Sequence, residues 1–335
     1  MILVTGGLGF MGSHIALSLM AQGQEVVIVD NLSNSNVQVL QRLEYISGRY
    51  VPFVKVDLRN TPSLNKVFEQ YSIDAVVHCA GFKSLHESAL KPLDYYNDNV
   101  SCIMSLLRSM QRTGVRNLVH ISSLAIYGSS SLTLSEDTAI EYNYPNPYIK
   151  SQQMIEQIIE DAFATDPEWR IVSLRFANVA GAFEHGVLGE MVPPLPKNIL
   201  PLALQVAVGQ RESIELRQDA DTADHTVERS FVHVLDGCEA VIASLKWLFQ
   251  QVHCYEVFNI AGEVTSMQAL MAKVAAVTMS PIPTEAAVPA ENTELAQLGA
   301  SASKAKTVLG WQAQRSLETM IQDQWRFYQN TLKGQ

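Results

Sequence analysis

The stretch ILVTGGLGFMG, residues 2–12, decides the fold of this chain. A short apolar run leads directly into a turn in which Gly6, Gly9 and Gly12 are three residues apart, and a helical pattern follows over residues 11–21. Glycine at such positions lets the backbone turn tightly and approach a ligand, and the first N–H groups of the helix stabilise negative charge. The spacing therefore predicts a strand, a turn and a helix that bind the pyrophosphate of a dinucleotide.

A second apolar run, EVVIVD over residues 25–30, supports this interpretation. It ends in Asp30, about 20 residues beyond the glycines, where dinucleotide-binding units place an acid for the ribose hydroxyls. Residues 31–36 contain no Arg or Lys that could pair with a 2′-phosphate. The sequence thus favours NAD over NADP as the cofactor.

Apolar, β-branched runs alternate with helix-like stretches over the first half of the chain. This alternation predicts an α/β protein with a Rossmann-type, doubly wound parallel sheet covered by helices on both faces. The runs are residues 2–5, 25–30, 51–57, 75–80, 117–123 and 170–176.

The pattern changes beyond residue 176, where Pro and Gly punctuate residues 181–229. Two further strands, over residues 231–235 and 256–260, flank a helix, and a last helix covers about 316–330. We expect a smaller, discontinuous α+β substrate domain toward the C-terminal end. The NAD-binding domain takes residues 1–176 and about 230–255, and the substrate domain takes about 177–229 and 256–335.

Composition restricts the class of partner. The net charge is -10 and the 24 Lys and Arg residues are scattered, which argues against nucleic-acid binding. An apolar stretch of spanning length is absent from the sequence, so we expect no membrane association and a cytoplasmic location. The four cysteines are well separated and lack metal-type spacing, so we expect reduced thiols and no metal site.

Polar residues follow the predicted strands at their carboxyl ends, where open α/β sheets bind ligands. Asp57 ends the third run, where it could reach the adenine, and Lys83 follows the fourth. Ser123 ends the fifth run, and Asn178 lies just past the sixth. Tyr148 follows a proline at a predicted helix start.

Taken in order, these motifs resemble those of the extended short-chain dehydrogenase/reductases, and among them the UDP-glucose (UDP-galactose) 4-epimerase family, over nearly the whole chain. Many of the motifs mark the superfamily individually, whereas their combination is specific to sugar-nucleotide epimerases and dehydratases. They are TGGLGFMGSH from residue 5, DNL from 30, DLRN from 57, AGFK from 80, ES from 87, KPL from 91, SS from 122, YG from 127, PY from 147, Asn178, GA from 181, QVAVG from 205 and SKA from 303.

The resemblance implies a mechanism and a substrate class. In that family a tyrosinate takes the proton of the sugar 4-hydroxyl while the C4 hydride passes to NAD, and the keto-sugar takes the hydride back on its other face. Tyr148 would be the base, and Ser123 would hydrogen-bond the reacting oxygen. The substrate would be a nucleotide sugar, with a UDP-hexose the first candidate. The family also implies a homodimer built on the long helices over about 93–113 and 148–164.

The resemblance also assigns binding residues. Those for the cofactor are Gly6, Gly9, Phe10, Met11, Gly12, Asp30, Asn31, Asp57, Leu58, Ala80, Gly81, Lys83, Asp98, Tyr148 and Gln152. Those for the substrate are Ser123, Tyr148, Asn178, Asn198 and Arg229.

Gln152 departs from the family pattern, which has a lysine four residues after the tyrosine. Glutamine can hydrogen-bond the nicotinamide ribose, but it supplies no charge to the phenol. A cation within 4–6 Å typically lowers a pKa by about 1–3 units. We therefore expect the pKa of Tyr148 to stay near its ordinary value of about 10. Lys83 is the candidate for a compensating cation, because Lys150 is only two residues from Tyr148 and faces elsewhere on a helix.

Other positions also differ from the family. Asp98 stands where relatives usually have asparagine beside the cofactor, and Ser230 replaces the acid after Arg229. By counting, the segment from Glu291 to Glu294 replaces an Arg-Glu-Gly-Asp segment, which exchanges a diphosphate-binding cation for a carboxylate.

Two other functions stay open at this point. The chain could bind NAD on an epimerase scaffold without turnover, as a sensor or interaction partner, or it could act on another sugar nucleotide. A dehydratase is disfavoured because residues 124–125 are Leu-Ala rather than an acid pair. His120 and His233 are interpreted as satisfied core histidines, and the acidic residues 219–224 as a solvated loop.

Overall fold

The computed structural model describes residues 1–190, 198–218, 220–287 and 295–333. Its strands are β1 (Ile2–Thr5), β2 (Val26–Asp30), β3 (Phe53–Lys55), β4 (Ala75–His78), β5 (Asn117–Ser123), β6 (Ser131–Leu134), β7 (Arg170–Phe176), β8 (Asn178–Ala180), β9 (Ile214–Arg217), β10 (Glu228–His233), β11 (Cys254–Ile260), β12 (Glu263–Ser266), β13 (Thr284–Ala287) and β14 (Gln297–Ala300).

Helices connect these strands. They are α1 (Phe10–Ala21), α2 (Gln38–Ser47), α3 (Thr61–Gln70), α4 (Leu85–Leu90), α5 (Pro92–Tyr95), α6 (Ser101–Thr113), α7 (Pro147–Ala164), α8 (Ile199–Ala207), α9 (Val234–Leu248), α10 (Met267–Thr278) and α11 (Leu317–Lys333). A π-helical turn over Tyr96–Val100 leads into α6.

The larger sheet has seven parallel strands in the order β11-β7-β5-β4-β1-β2-β3. The chain moves outward from β1 to β3 and then returns to the other side of β1 at β4. This reversal is the topological switch point of a doubly wound sheet, beside which such proteins bind their ligands. The predicted fold class is confirmed.

A smaller sheet has the order β12-β10-β14-β6, with β8 paired to β10, and all of its strands except β6 come from the second half of the chain. Its strands and the β13–β9 pair join helices α8, α10 and α11 around a separate apolar cluster. We propose a division into two domains in which each strand is assigned to the sheet where it pairs. On that basis Cys254–Ile260 belongs to the larger sheet, and Glu228–His233 belongs to the smaller one.

Both faces of the central part of the larger sheet are buried, which explains why strands such as β1 and β2 are almost wholly apolar. Alternate residues of each strand point to opposite faces. Val4 and Val77 pack with α1 and α9, whereas Leu3 and Val76 pack with α3, α6 and α7. No helix among the described residues is long and apolar enough to span a bilayer.

The buried histidines differ from each other in their hydrogen bonding. His233 is satisfied as predicted: its Nδ1 accepts from the backbone N–H of Leu235, and its Nε2 lies 3.2 Å from Asp323 Oδ2. His120 is not, because neither ring nitrogen has a partner among the described residues. It stacks on His78 with ring centroids 5.6 Å apart, and burial lowers the pKa of both rings to about 3.

These pKa values make the stability of the fold depend on pH. Between pH 6.5 and about 3 the unfolded chain binds protons at His78 and His120 that the folded chain excludes. The free energy of unfolding therefore falls as the pH falls through this window, by about 1.4 kcal/mol per pH unit for each histidine. Urea unfolding at pH 7 and pH 5 should show a smaller pH dependence in His120→Leu. The matched control, His86→Leu on the exposed side of α4, should keep the parent's dependence; an equal slope in all three proteins would contradict the assignment.

Candidate active site

The carboxyl ends of β1 to β5 bring together many of the residues that the sequence predicted for cofactor and substrate. Those at or just beyond these ends are Gly6, Phe10, Met11, Asp30, Asn31, Asp57, Leu58, Ala80, Gly81, Lys83 and Ser123.

The glycine turn after β1 is packed too closely for side chains. Gly6 has a φ of +63°, and a Cβ on it would lie 2.8 Å from the backbone N and Cα of Ala80. A Cβ on Gly12 would lie 2.2 Å from the Gly6 carbonyl oxygen. Gly9 is the N-cap of α1 and has no side chain to cap it. The first N–H groups of α1 can therefore donate hydrogen bonds to an anionic ligand.

Replacement of Gly12 tests this turn. In Gly12→Ala the new Cβ forces the turn away from α1, so we expect the affinity for NAD to fall at least tenfold, measured by calorimetric titration. Gly23→Ala is the control, because Gly23 follows the same helix at φ +78° and a Cβ on it would have no atom within 4 Å. It should cost about 1 kcal/mol of stability and leave NAD affinity unchanged.

Asp30 ends β2 with its carboxylate already fixed by the protein. Oδ1 accepts from the backbone N–H of Leu32 at 2.8 Å and from the Ser35 hydroxyl at 2.7 Å, and Oδ2 accepts from the N–H of Leu8 at 3.1 Å. A carboxylate oxygen can accept more than one hydrogen bond. Oδ2 therefore retains capacity for a ribose hydroxyl, as the sequence predicted.

An ion-pair network occupies the end of β3, and its central cation was missed by sequence reasoning. Arg59 donates to both oxygens of Asp57, at 2.9 and 2.6 Å, and also pairs with Asp98. Asn31 donates to Asp57 Oδ2 at 3.2 Å. The hydrogen bonds from Arg59 hold the pKa of Asp57 at about 2, whereas burial raises the pKa of Asp98. Asp98 is thus linked to the predicted adenine end of the site through Arg59.

The loop after β4 is held by a buried amide. Asn99 Oδ1 accepts from the N–H of Phe82 at 2.8 Å, and its Nδ2 donates to the Phe82 carbonyl at 3.0 Å and to Ser151 Oγ at 3.1 Å. Gly81 has a φ of +155°, and a Cβ there would lie 3.1 Å from Asn99 Oδ1. This amide ties the loop that carries Lys83 to helix α7.

Lys83 makes contacts that the sequence did not predict. Its Nζ lies 3.5 Å from Glu190 Oε1 and 5.8 Å from the centre of the Phe10 ring. The same Glu190 oxygen accepts from the side-chain amide of Asn198. Glu190 therefore connects a predicted cofactor residue to a predicted substrate residue.

Tyr148 and Ser123, which the resemblance assigns to the reaction and which are named here the reactive pair, lie within hydrogen-bonding reach of each other. Asn146 caps α7 by accepting from the backbone N–H of Tyr148 at 3.0 Å and of Ile149 at 3.3 Å, and a proline follows the cap. The Tyr148 ring packs edge-on against Tyr95, with centroids 6.4 Å apart. Burial raises the pKa of the Tyr148 phenol, and hydrogen bonding with Ser123 acts in the opposite direction.

Gln152 lies one helical turn after Tyr148 and is 6 % exposed. Residues four apart share a helix face, so its neutral amide lies on the side of α7 that carries Tyr148, where the resemblance predicts a lysine. Among the described residues, none with positive charge contributes to the Tyr148 pKa. The expectation of an ordinary pKa for Tyr148 is therefore wrong in one respect: burial raises the pKa of the phenol, which stays protonated at neutral pH.

One turn beyond Gln152, a buried ion pair joins α7 to the sheet. Arg175 Nη2 lies 2.6 Å from Glu156 Oε2, and Ser122 Oγ donates to Glu156 Oε1 at 2.6 Å. The guanidinium also lies 4.7 Å from the centre of the Tyr127 ring. The sequence contained a signal for this pair: an arginine inside an apolar strand needs a buried partner.

The predicted phosphate-binding side is less open than expected. Arg229 is 5 % exposed and donates to the backbone carbonyls of residues 228, 295 and 296. Ser230 exchanges hydrogen bonds with the backbone of Gly262. Asn178 is exposed at the start of β8. Glu291 and its neighbours to residue 294 lie outside the described residues, as does Asp219.

The fold and this site are those of an extended short-chain dehydrogenase/reductase. The model of the NAD dependent epimerase/dehydratase family matches residues 2–261, so the chain belongs to this family. It is similar over its length to the UDP-glucose 4-epimerase of Neisseria meningitidis serogroup C, at 36% identity over 335 residues, covering 99% of this chain and 98% of that protein. The UDP-glucose 4-epimerase of Bacillus subtilis strain 168 is 34% identical over 339 residues, with 99% and 98% covered. The predicted membership is confirmed.

Solved structures of UDP-glucose 4-epimerases have the same fold as this chain. The UDP-glucose 4-epimerase of Bifidobacterium longum, in complex with NAD+ and UDP, superposes with a TM-score of 0.95 at 33% identity, covering 100% of this chain and 99% of that one. The enzyme of Stenotrophomonas maltophila, with bound NAD and formylated UDP-arabinopyranose, gives a TM-score of 0.93 at 33% identity and the same coverage.

Proposed function

We propose that this protein is an NAD-dependent 4-epimerase of UDP-hexoses that interconverts UDP-glucose and UDP-galactose through transient oxidation at C4. The observation that carries this proposal is the buried Tyr148 phenol beside the Ser123 hydroxyl, at the same sheet edge as the glycine turn. The family match and the full-length similarity to UDP-glucose 4-epimerases support it.

The residues present suit NAD. The crowding at Gly6 and Gly12 leaves backbone N–H groups for a pyrophosphate, and Asp30 Oδ2 can accept from a ribose hydroxyl. Bound NAD supplies the acceptor, and then the donor, of the hydride at sugar C4. Gln152 would hydrogen-bond the nicotinamide ribose without adding charge.

Proton transfer falls to Tyr148. Its phenolate takes the proton of the sugar 4-hydroxyl when C4 is oxidised and returns it when C4 is reduced. Ser123 hydrogen-bonds the reacting oxygen and holds it beside the phenol. Because burial keeps the phenol protonated at neutral pH, the base form is scarce, and turnover rises with pH.

The substrate side and the assembly are part of the same proposal. Asn178, Asn198 and Arg229 would face the nucleotide, with Glu190 released from Asn198 when substrate binds. The homodimer would form on α6 and α7, where exposed Met154 lines a groove with Tyr96 and exposed Met104 lines a second groove with Leu107. The four cysteines are free thiols in the structure, which supports a cytoplasmic location.

The first test is conversion of UDP-galactose to UDP-glucose by the purified protein, with the NAD content of the denatured sample measured in parallel. We expect conversion, a loss of at least a hundredfold in Tyr148→Phe, and unchanged NAD content in that variant. Bound NAD without conversion of this sugar would favour the alternative of a non-catalytic NAD-binding protein or another sugar nucleotide. A protein that shows neither bound NAD nor conversion would contradict the proposal.

The missing charge is tested by Gln152→Lys. A cation one turn from Tyr148 should lower the pKa of the phenol by about 1–3 units, so the alkaline rise in kcat moves to lower pH. Below that pKa, kcat should increase about tenfold for every pH unit by which the rise moves. Gln157→Lys is the matched control, because it adds the same charge to the exposed side of α7. A pH profile of Gln152→Lys that coincides with the parent's would rule out a charge effect at this position.

A further inference from the structure

A buried polar cluster lies directly behind the reactive pair. It consists of Ser122, Glu156 and Arg175, which are all 4–6 % exposed. Arg175 meets both Glu156 oxygens, with Nε 3.2 Å from each and Nη2 2.6 Å from Oε2. Ser122 donates to Oε1 at 2.6 Å. The Glu156 carboxylate thus holds two neighbouring strands of the sheet, β5 and β7, from one helix.

The backbone links this cluster to both members of the reactive pair: β5 leads from Ser122 to Ser123, and α7 carries both Tyr148 and Glu156. Ser122 precedes Ser123 at the carboxyl end of β5, opposite Arg175 in the register with β7. Glu156 is two helical turns after Tyr148 on the same side of α7, because residues four apart share a helix face. The position of the Ser123 hydroxyl relative to the Tyr148 phenol is therefore set by how α7 lies on the end of β5.

The strength of the tether follows from its chemistry. A charge-assisted, multiply bonded Arg–carboxylate contact is geometrically specific, and breaking one partner leaves an uncompensated buried charge. The Arg175 guanidinium is further confined by the Tyr127 ring, whose hydroxyl donates to Asn259 Oδ1 at 2.8 Å. α7 therefore has one favoured placement on the sheet.

We propose that Glu156 is a positioning residue for the reaction: by joining α7 to Ser122 and Arg175, it holds Tyr148 within hydrogen-bonding reach of Ser123. This inference rests on the proposed function for its catalytic meaning. The geometric claim can be tested without turnover.

The geometric test is a double-mutant cycle read by fluorine NMR. With 3-fluorotyrosine in place of tyrosine, the Tyr148 resonance is identified as the signal lost in Tyr148→Phe. Ser123→Ala should shift this resonance in the parent, since the hydrogen bond is removed. In Glu156→Gln the same Ser123→Ala change should shift it by less than half as much, because Ser123 is already displaced. An equal shift in both backgrounds would overturn the proposal.

Two further variants separate positioning from general stability. Glu160→Gln changes the next glutamate of α7, whose side chain is exposed to solvent, and should leave the full Ser123 effect. If Glu156→Gln does not fold, Ser122→Ala removes only one hydrogen bond of the cluster, and it should reduce the Ser123 effect in the same direction. A full Ser123 effect in a folded Ser122→Ala protein would then overturn the proposal.

Steady-state kinetics test whether this positioning contributes to catalysis. In Glu156→Gln or Ser122→Ala we expect kcat to fall about tenfold or more while KM stays within about twofold, because the substrate's nucleotide contacts are elsewhere. A rise in KM with unchanged kcat would contradict positioning of the reactive pair. Coupling in the NMR cycle without any turnover by the parent would retain the geometric claim and refute the proposed function.

Discussion

The close approach of two backbone segments at the switch point governs this structure. Gly6 after β1 and the Cys79–Ala80 backbone after β4 are so near that no Cβ fits between them. Gly12 meets the Gly6 carbonyl under the same restriction. This contact fixes the start of α1 and the loop with Lys83 at one edge of the sheet. The glycine turn and the loop that carries Lys83 thus share one geometric origin.

The charges around the site form a second constraint. In the part of the chain that the structure describes, four basic side chains around the site already have an anionic or carbonyl partner: Lys83 with Glu190, Arg59 with Asp57 and Asp98, Arg175 with Glu156, and Arg229 with backbone carbonyls. A nucleotide sugar brings two further negative charges. Its binding therefore requires partner exchange, for which half-exposed Lys83 is better suited than the buried Arg175, since buried charges are costly to separate.

The sequence predicted those features that depend on local patterns. Residues 117–123 and 170–176 are strands with the predicted bounds, because runs rich in apolar and β-branched residues mark strands of a buried sheet. The membership of residues 256–260 in the larger sheet was not predicted, because strand pairing is decided by tertiary packing rather than by the run itself. The prediction that His120 is satisfied was wrong for the same reason. Its position in a buried strand was evident, but whether its ring nitrogens have a partner depends on the neighbouring strands. Arg59 and Glu190 were missed because the contacts that link them to the rest of the site, with Asp98 and Lys83, join residues that are distant in sequence.

Because Gln152 is neutral, the burial of Tyr148 has a consequence for function. A phenol serves as a base only when it is deprotonated, and burial without a neighbouring cation opposes that state. The site can offset this in two ways: a substrate-induced release of Lys83 from Glu190, or accurate placement of Ser123, whose hydrogen bond stabilises the phenolate. The first depends on a long contact of 3.5 Å and an exposed side chain, whereas the second is supported by a buried network with contacts of 2.6 Å. In a site that lacks the lysine, we therefore expect geometric placement of Ser123 by the Glu156 cluster to carry a larger share of the catalysis than it would beside a permanent cation.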